Sequence, residues 1–207
     1  MIDLYTWTSP NGRKISVMLE ELGLAYEVHP IDINADEQFQ PWFLKIAPNN
    51  RIPAIVDREG PDGKPLSLFE SGAILIYLAE KTKSPLLPAD ARGRATTIQW
   101  LMWQVGGVGP MFGQAHHFLK HAKEDVPYGK KRYHDETKRL YGVMDHRLGE
   151  AAYLAGENYS IADIAIYPWV ARHELHQVDL GEFANVKRWF EAIGRRPAVA
   201  KGMKVPS

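Results

Sequence analysis

Apolar and polar positions alternate differently in the two parts of the chain, which predicts a mixed α/β region followed by a helical one. The predicted elements of the first part are strands at 2–7 and 26–32 with a helix at 11–22 between them, a helix at 40–47, two strands on either side of the turn-rich segment 59–65, and a helix that begins at Glu70–Ser71. The initial β-α-β order predicts one parallel strand pair, and the two later strands predict a hairpin.

After residue 83 the pattern predicts helices and no strand. These helices lie at 92–104, 127–149, 161–173 and 186–193. Glycines and Pro110 after residue 104 should bend or interrupt the helical run. Ser160 to Asp163 is an N-capping sequence for the third of these helices. We therefore predict a domain at 1–83, a linker at 84–91 and an all-helical domain at 92–207.

Composition narrows the classes of function. The 25 Lys and Arg residues balance 25 Asp and Glu residues, so charge gives no reason to expect binding to nucleic acid or to an anionic membrane. Apolar runs are short and interrupted by charges, which argues against a membrane span. The start, Met1 to Tyr5, lacks the basic residues and long apolar core of a signal peptide. We expect a cytoplasmic protein.

The 207-residue chain contains no cysteine. This excludes disulfides, a protein thiol as nucleophile, and thiolate ligands for a metal. If the protein carries out thiol chemistry, its ligand must supply the sulfur.

Two short motifs together describe a binding site for a small peptide. Pro53 should stand at the start of a strand, because a proline inside it would remove a ladder hydrogen bond. That position, held by a cis Ile52–Pro53 bond, leaves the Ile52 backbone to pair with a ligand. The helix start at Glu70–Ser71 favours a carboxylate, and Glu70 can accept from an ammonium. An ordinary helix cap would explain Glu70–Ser71 equally well.

This combination resembles the glutathione site of the cytosolic glutathione transferases, and the resemblance covers nearly the whole chain. Its matching segments are Met1–Tyr5, Ser9–Gly12, Pro48–Asn50, Phe69–Ile74, Gln99–Leu101, Trp103–Gly107 and Gly156–Asp163. The segments Ser9–Gly12 and Trp103–Gly107 narrow the match to the bacterial nu class, whose members are glutathione-dependent disulfide-bond reductases. The resemblance implies an α/β thioredoxin-like N-terminal domain, here without Cys-x-x-Cys, plus an all-α C-terminal domain.

The predicted thiolate donors lie between the first strand and the first helix. Ser9, with Thr8 and Asn11, offers hydroxyl and amide groups beside a helix start, and such donors lower a thiol pKa from its usual value of about 8.5. The alternative is that Ser9 only caps the helix. The nu class has threonine where Ser9 stands, and serine keeps the hydroxyl. Tyr5 is a rival donor, but its position inside the strand favours packing.

The resemblance also implies the residues that bind glutathione. They are Gln38, Asn50, Arg51, Ile52, Pro53, Glu70 and Ser71, with Arg132 reaching glutathione from the partner chain of a homodimer. Simpler explanations exist for some of them. Asn49–Asn50 suits a turn, and Arg51 suits an exposed surface position. Arg132 follows Lys130 and Lys131 and suits a solvated helix face.

The histidines at 116, 117 and 121 do not predict a metal site. His117 and His121 are one helical turn apart, but they lack an identified third ligand, and no glutamate follows His117 as in metalloproteases. We predict no metal and expect these side chains at the edge of a second-substrate cleft.

The predicted function is reduction of a small-molecule disulfide by bound glutathione, used as a co-substrate. One glutathione thiolate attacks the disulfide and a second glutathione resolves the mixed disulfide. Transfer of glutathione to electrophiles, or reduction of peroxides, would use the same thiolate and is the first alternative. A non-catalytic binding or assembly module is the second, because a fold does not fix a function.

Overall fold

The computed structural model describes residues 1–206, which form two compact units. Unit 1 contains Met1–Ser84 and a further segment that begins at Arg196, and unit 2 contains Pro85–Arg195. No helix within residues 1–206 is both long enough and apolar enough to cross a bilayer.

Unit 1 is built on a four-stranded mixed sheet. Its strands are β1 (Ile2–Thr6), β2 (Tyr26–Pro30), β3 (Ala54–Asp57) and β4 (Leu66–Phe69), in the spatial order β2-β1-β3-β4. β1 is parallel to β2 and antiparallel to β3, and β3 and β4 form an antiparallel hairpin. The predicted parallel pair and hairpin are therefore confirmed. β1 lies between β2 and β3, and its Ile2 and Leu4 side chains are buried.

Helices surround this sheet and make up most of unit 2. In chain order they are α1 (Pro10–Leu22), α2 (Pro41–Leu44), α3 (Ser71–Lys81), α4 (Ala91–Trp103), α5 (Gly109–His116), α6 (Pro127–Glu150), α7 (Ile161–Val170), α8 (Ala184–Gly194) and α9 (Pro197–Gly202). The predicted fold class, an α/β unit plus a helical one, is confirmed.

The α9 segment corrects the predicted domain at 92–207, because it packs with unit 1. The Ser16 hydroxyl on α1 donates to the Gly202 carbonyl oxygen at 2.7 Å. A Cβ on Gly202 would lie 2.5 Å from the Val17 Cα, so only glycine allows this approach. Ion pairs from Arg196 to Glu21 add to the contact. A six-residue helix has too few turns for its apolar period to reveal such a partner.

Unit 2 is centred on α7, in which every residue is buried. Its predicted cap is confirmed: the Ser160 Oγ accepts from the Ala162 amide, and the Asp163 carboxylate accepts from the Ser160 amide at 3.0 Å. The predicted interruption after residue 104 takes another form. A π-helical segment, Gln104–Val108, joins α4 to α5 without breaking the helical path.

Candidate active site

A cleft of about 160 Å³ in unit 1 brings together most of the residues predicted to bind glutathione. It lies where the α1 start, the loop before β3 and the α3 start converge. Its lining residues are Asn11, Asn49, Arg51, Ile52, Pro53, Phe69, Glu70 and Ser71. Strand β1 brings these loops together, since it pairs with β3 on one side and leads into α1.

The loop before β3 has the predicted conformation. The Ile52–Pro53 peptide bond is cis, and β3 begins at Ala54. Pro53 is buried directly before the strand, so Ile52 lies outside the strand ladder and on the cleft wall. Because it lies outside the ladder, the Ile52 backbone can pair with the backbone of an extended peptide.

The α3 start presents a carboxylate and a hydroxyl to the same cleft. Glu70 occupies the cap position with φ 71°, which is the left-handed region and unusual for a non-glycine residue. Within residues 1–206 its exposed side chain makes no capping hydrogen bond, so the carboxylate can accept from a ligand ammonium. Ser71 opens the helix and is 8% exposed. Its neighbouring amides can bind a carboxylate.

Lys14 lies behind this helix start and was not among the predicted site residues. It is 2% exposed, and its Nζ donates to the Ser71 Oγ at 3.1 Å. Burial lowers the pKa of Lys14 to about 7, an effect that the Glu70 charge partly opposes. The signal was available in the sequence, because Lys14 adjoins Ile15 and precedes Met18 by one turn on the apolar face of α1.

The predicted thiolate donors are only partly gathered at the cleft. Asn11 lines it, whereas Ser9 is the N-cap of α1 and Thr8 is exposed in the preceding loop. The Ser9 Oγ accepts from the Gly12 amide at 3.0 Å. Capping uses an oxygen lone pair, so the hydroxyl proton can still be donated to a sulfur. A Cβ on Gly12 would lie 2.7 Å from the Trp7 carbonyl oxygen, so glycine permits this tight helix entry.

Tyr5 packs within the fold, in line with the role expected for it. Its ring stacks on His29 at a centroid distance of 4.8 Å and contacts Phe43 at 6.3 Å. It also covers the apolar cluster that includes Ile31 and Ala54. Burial, followed by the nearby Asp3 charge, raises the pKa of Tyr5, which makes its hydroxyl harder to ionise.

Three further predicted residues lie outside the cleft lining. Gln38 is 8% exposed, and its Oε1 has no hydrogen-bond partner within residues 1–206. Asn50 has φ 47°, and its carbonyl oxygen accepts from the Arg51 guanidinium at 3.2 Å. Arg132 is exposed on α6 in unit 2, where it lines a second cleft of about 640 Å³ beside Tyr128.

The histidine side chains of unit 2 do not form a three-ligand cluster. Among the described residues, a group with three potential ligand atoms within 4.8 Å occurs elsewhere, at Asp3, Glu27 and His29. Arg58 already donates to both carboxylates of that group. A guanidinium at this position competes with a cation for the same oxygens.

Comparison with known families agrees with this geometry. The glutathione S-transferase N-terminal domain matches residues 8–81, and the glutathione S-transferase C-terminal domain matches residues 110–197. The chain belongs to the glutathione S-transferase family. The resemblance to the glutathione transferases that the sequence indicates is thus confirmed. The N-terminal domain match includes both sides of the cleft, namely the α1 start and the Glu70–Ser71 pair.

Individual relatives extend over almost all of the chain. Disulfide-bond oxidoreductase YfcG of Escherichia coli strain K12 is 53% identical over 204 residues, covering 98% of this chain and 94% of the relative. A glutathione transferase structure from Pseudomonas putida has one glutathione disulfide bound per subunit; it is 46% identical with a TM-score of 0.93, covering 100% of this chain and 92% of that one. A Burkholderia graminis glutathione transferase with two glutathione molecules per subunit is 48% identical with a TM-score of 0.93, covering 100% and 88%.

Proposed function

We propose that this protein is a glutathione-dependent disulfide-bond reductase of the glutathione transferase type. The observation that carries the proposal is the cleft in which cis Ile52–Pro53 and the Glu70–Ser71 helix start meet, in a chain without cysteine. Such a site suits a thiol-containing peptide, and a thiol from the ligand compensates for the missing protein thiol. The relatives named above, an oxidoreductase and two glutathione-binding transferases, support the same assignment.

In this proposal the γ-glutamyl end of glutathione binds at the α3 start. Its carboxylate accepts from the Ser71 hydroxyl and the first amides of α3, and its ammonium donates to Glu70. The cysteinyl backbone pairs with Ile52. Arg51, with Asn50 and Gln38, binds the remaining polar groups of the peptide.

The reaction uses the sulfur of glutathione. Hydrogen bonds from Ser9, Asn11 and Thr8 stabilise the thiolate, which attacks one sulfur of the substrate disulfide. That step forms a mixed disulfide and releases one substrate thiolate. A second glutathione thiolate then attacks the glutathione sulfur of the mixed disulfide, which releases the other substrate thiolate and leaves glutathione disulfide. Two protons, lost by the two glutathione thiols, return to the substrate thiolates.

We also propose a nu-class, cytoplasmic homodimer in which Arg132 of one subunit contacts glutathione bound to the other. The exposed position of Arg132 on α6 is compatible with such a contact. Arg132→Ala should then weaken glutathione binding. Sedimentation should show a dimer, and a fully active monomer would contradict this part of the proposal.

The decisive experiment is a pH-rate profile for reduction of a small disulfide such as hydroxyethyl disulfide. Ser9→Ala should lower activity moderately, because Asn11 and Thr8 remain as donors. The Ser9→Ala/Asn11→Ala double variant should lose much more and shift the acidic limb to higher pH, because the thiol pKa rises. Ser67→Ala, an exposed serine on β4, is the matched control and should behave as wild type.

Three outcomes would contradict the proposal. An unchanged acidic limb in the double variant would remove Ser9 and Asn11 from the chemistry and direct attention to Tyr5. Glutathione binding without turnover of any disulfide would favour the binding module instead. Faster turnover of electrophiles or peroxides than of disulfides would favour the transferase or peroxidase alternative, which the names of the glutathione-bound relatives also suggest.

A further inference from the structure

Lys14 is a buried charged residue directly behind the cleft. It lies on α1 with 2% of its surface exposed, and its Nζ is 3.1 Å from the Ser71 Oγ. Ser71 in turn lines the cleft with Glu70. A lysine is rarely buried to this degree, because an ammonium removed from water is destabilised. A methionine of similar length would fill the same space without that penalty, so packing alone does not account for a lysine here.

The contact fixes the direction of the hydrogen bond at Ser71. An ammonium has three protons and no lone pair, so it can only donate to the Ser71 oxygen. The hydroxyl proton of Ser71 must then be donated in another direction, and Ser71 lines the cleft. A neutral Lys14 amine could instead accept this proton. The lone pairs of the Ser71 oxygen would then face the incoming carboxylate, and the hydroxyl could not donate to it.

From this arrangement we infer that Lys14 is a positioning residue for the ligand carboxylate: its ammonium holds the Ser71 hydroxyl as a donor to that carboxylate and adds a positive charge behind it. The inference rests on the proposed function, since it assigns the γ-glutamyl carboxylate of glutathione to this place. Lys14 acts through Ser71 and does not itself touch the ligand.

Binding should therefore be linked to the protonation of Lys14. Because its pKa is about 7 in the free protein, part of the population lacks the ammonium at neutral pH. Glu70 at the α3 start is the charged neighbour that acts on Lys14. Among the other charged groups on α1 and the elements that pack against it, four ion pairs form: Lys201 with Glu20, Arg196 with Glu21, Lys81 with Asp57 and Arg58 with Asp3. The remaining charged groups are Arg13, which precedes Lys14 on α1, and Glu80, which is exposed at the far end of α3. A bound carboxylate should raise the pKa of Lys14, so affinity should fall as the pH rises through 7.

The test measures the Kd of S-methylglutathione, which has no thiol to titrate, by calorimetry at several pH values. Lys14→Met should raise Kd about tenfold at pH 6 and only about twofold at pH 8.5, where wild-type Lys14 is largely neutral. The ligand amino group titrates with both proteins, so the difference between their profiles reports Lys14. Lys201→Met, an exposed lysine on α9, is the matched control and should leave Kd unchanged.

A second ligand separates positioning from damage to the cleft. An S-methylglutathione analogue that lacks the α-carboxylate of the glutamyl residue should bind wild type and Lys14→Met equally at each pH. Equal losses for both ligands, or a loss for S-methylglutathione that does not depend on pH, would overturn the inference. So would an unchanged Kd in Lys14→Met.

The wild-type protein alone provides a test if Lys14→Met does not fold. Between pH 5.5 and 7.5, Kd for S-methylglutathione should rise relative to Kd for the analogue, and parallel profiles would overturn the role of Lys14. Failure of the proposed function looks different, because wild-type protein would then either bind neither glutathione nor S-methylglutathione at any pH, or bind glutathione without reducing any disulfide.

Discussion

Acid should destabilise unit 2 through His176, a histidine with no exposed surface. Neither of its ring nitrogens has a hydrogen-bond partner within residues 1–206, and its neighbours are the Phe112 ring at 4.9 Å and the His116 ring at 6.0 Å. Burial, with smaller effects from His116 and Arg172, lowers the pKa of His176 to about 3. The imidazole is therefore neutral in the native state.

The magnitude follows from the difference between the two pKa values. The unfolded chain takes up a proton near pH 6.5, whereas native His176 does so only near pH 3. Between these values, each pH unit of acidification lowers the free energy of unfolding by about 1.4 kcal/mol. Going from pH 7.5 to pH 5 should thus remove about 2 kcal/mol, because the loss accumulates over the 1.5 units below 6.5.

Urea unfolding of wild type and His176→Leu at pH 7.5 and pH 5 measures this loss. The variant should lose about 2 kcal/mol less than wild type on acidification, whatever its stability at pH 7.5. His146→Leu is the control, since the His146 side chain is 82% exposed and should leave the pH dependence as in wild type. Equal losses in wild type and His176→Leu would refute the claim that His176 is buried as a neutral, unpaired ring.

Two other predictions concern the cleft and the C-terminal helix. Glu70→Ala should weaken glutathione binding by about 1.5–3 kcal/mol in calorimetry while changing kcat little, because a charge-assisted contact far from sulfur is lost. Glu80 is exposed on the same helix, and Glu80→Ala should retain affinity. Gly202→Ala should lower the free energy of unfolding by about 1–3 kcal/mol, because its Cβ would collide with Val17, whereas Gly142→Ala on α6, where a Cβ meets no atom within 4 Å, should not be destabilising.

The cleft could be anticipated from sequence where the backbone chemistry is local. A proline is disfavoured inside a strand, so Pro53 is expected at the start of β3, and the sequence also predicts a helix start after β4. The amino-acid sequence alone therefore predicts that cis Ile52–Pro53 and Glu70–Ser71 contribute to one site. The same holds for the Ser160–Asp163 cap, whose hydrogen bonds join residues three apart.

Features that depend on distant contacts could not be anticipated in this way. The place of Lys14 on the apolar face of α1 indicates its burial, but its hydrogen bond to Ser71 joins residues 57 positions apart and cannot be predicted from local sequence. Asn11 and Ser9 are close in sequence, yet only Asn11 lines the cleft, because the side chain of Ser9 turns back to cap α1. Packing of Tyr5 is expected from its place in a strand, but its stacking on His29 follows from the β1–β2 register, which places the two residues side by side.

The position of α9 has a consequence for the order in which the protein is made. Unit 1 is discontinuous: its sheet is synthesised first, but the helix that covers Val17 follows the whole of unit 2. A ribosome-bound chain therefore carries a complete unit 2 while the Ser16–Gly202 contact of unit 1 is still missing. Unit 1 therefore cannot reach its final packing by folding strictly from the N-terminus. A fragment of residues 1–84 would lack α9, a helix that belongs to this unit.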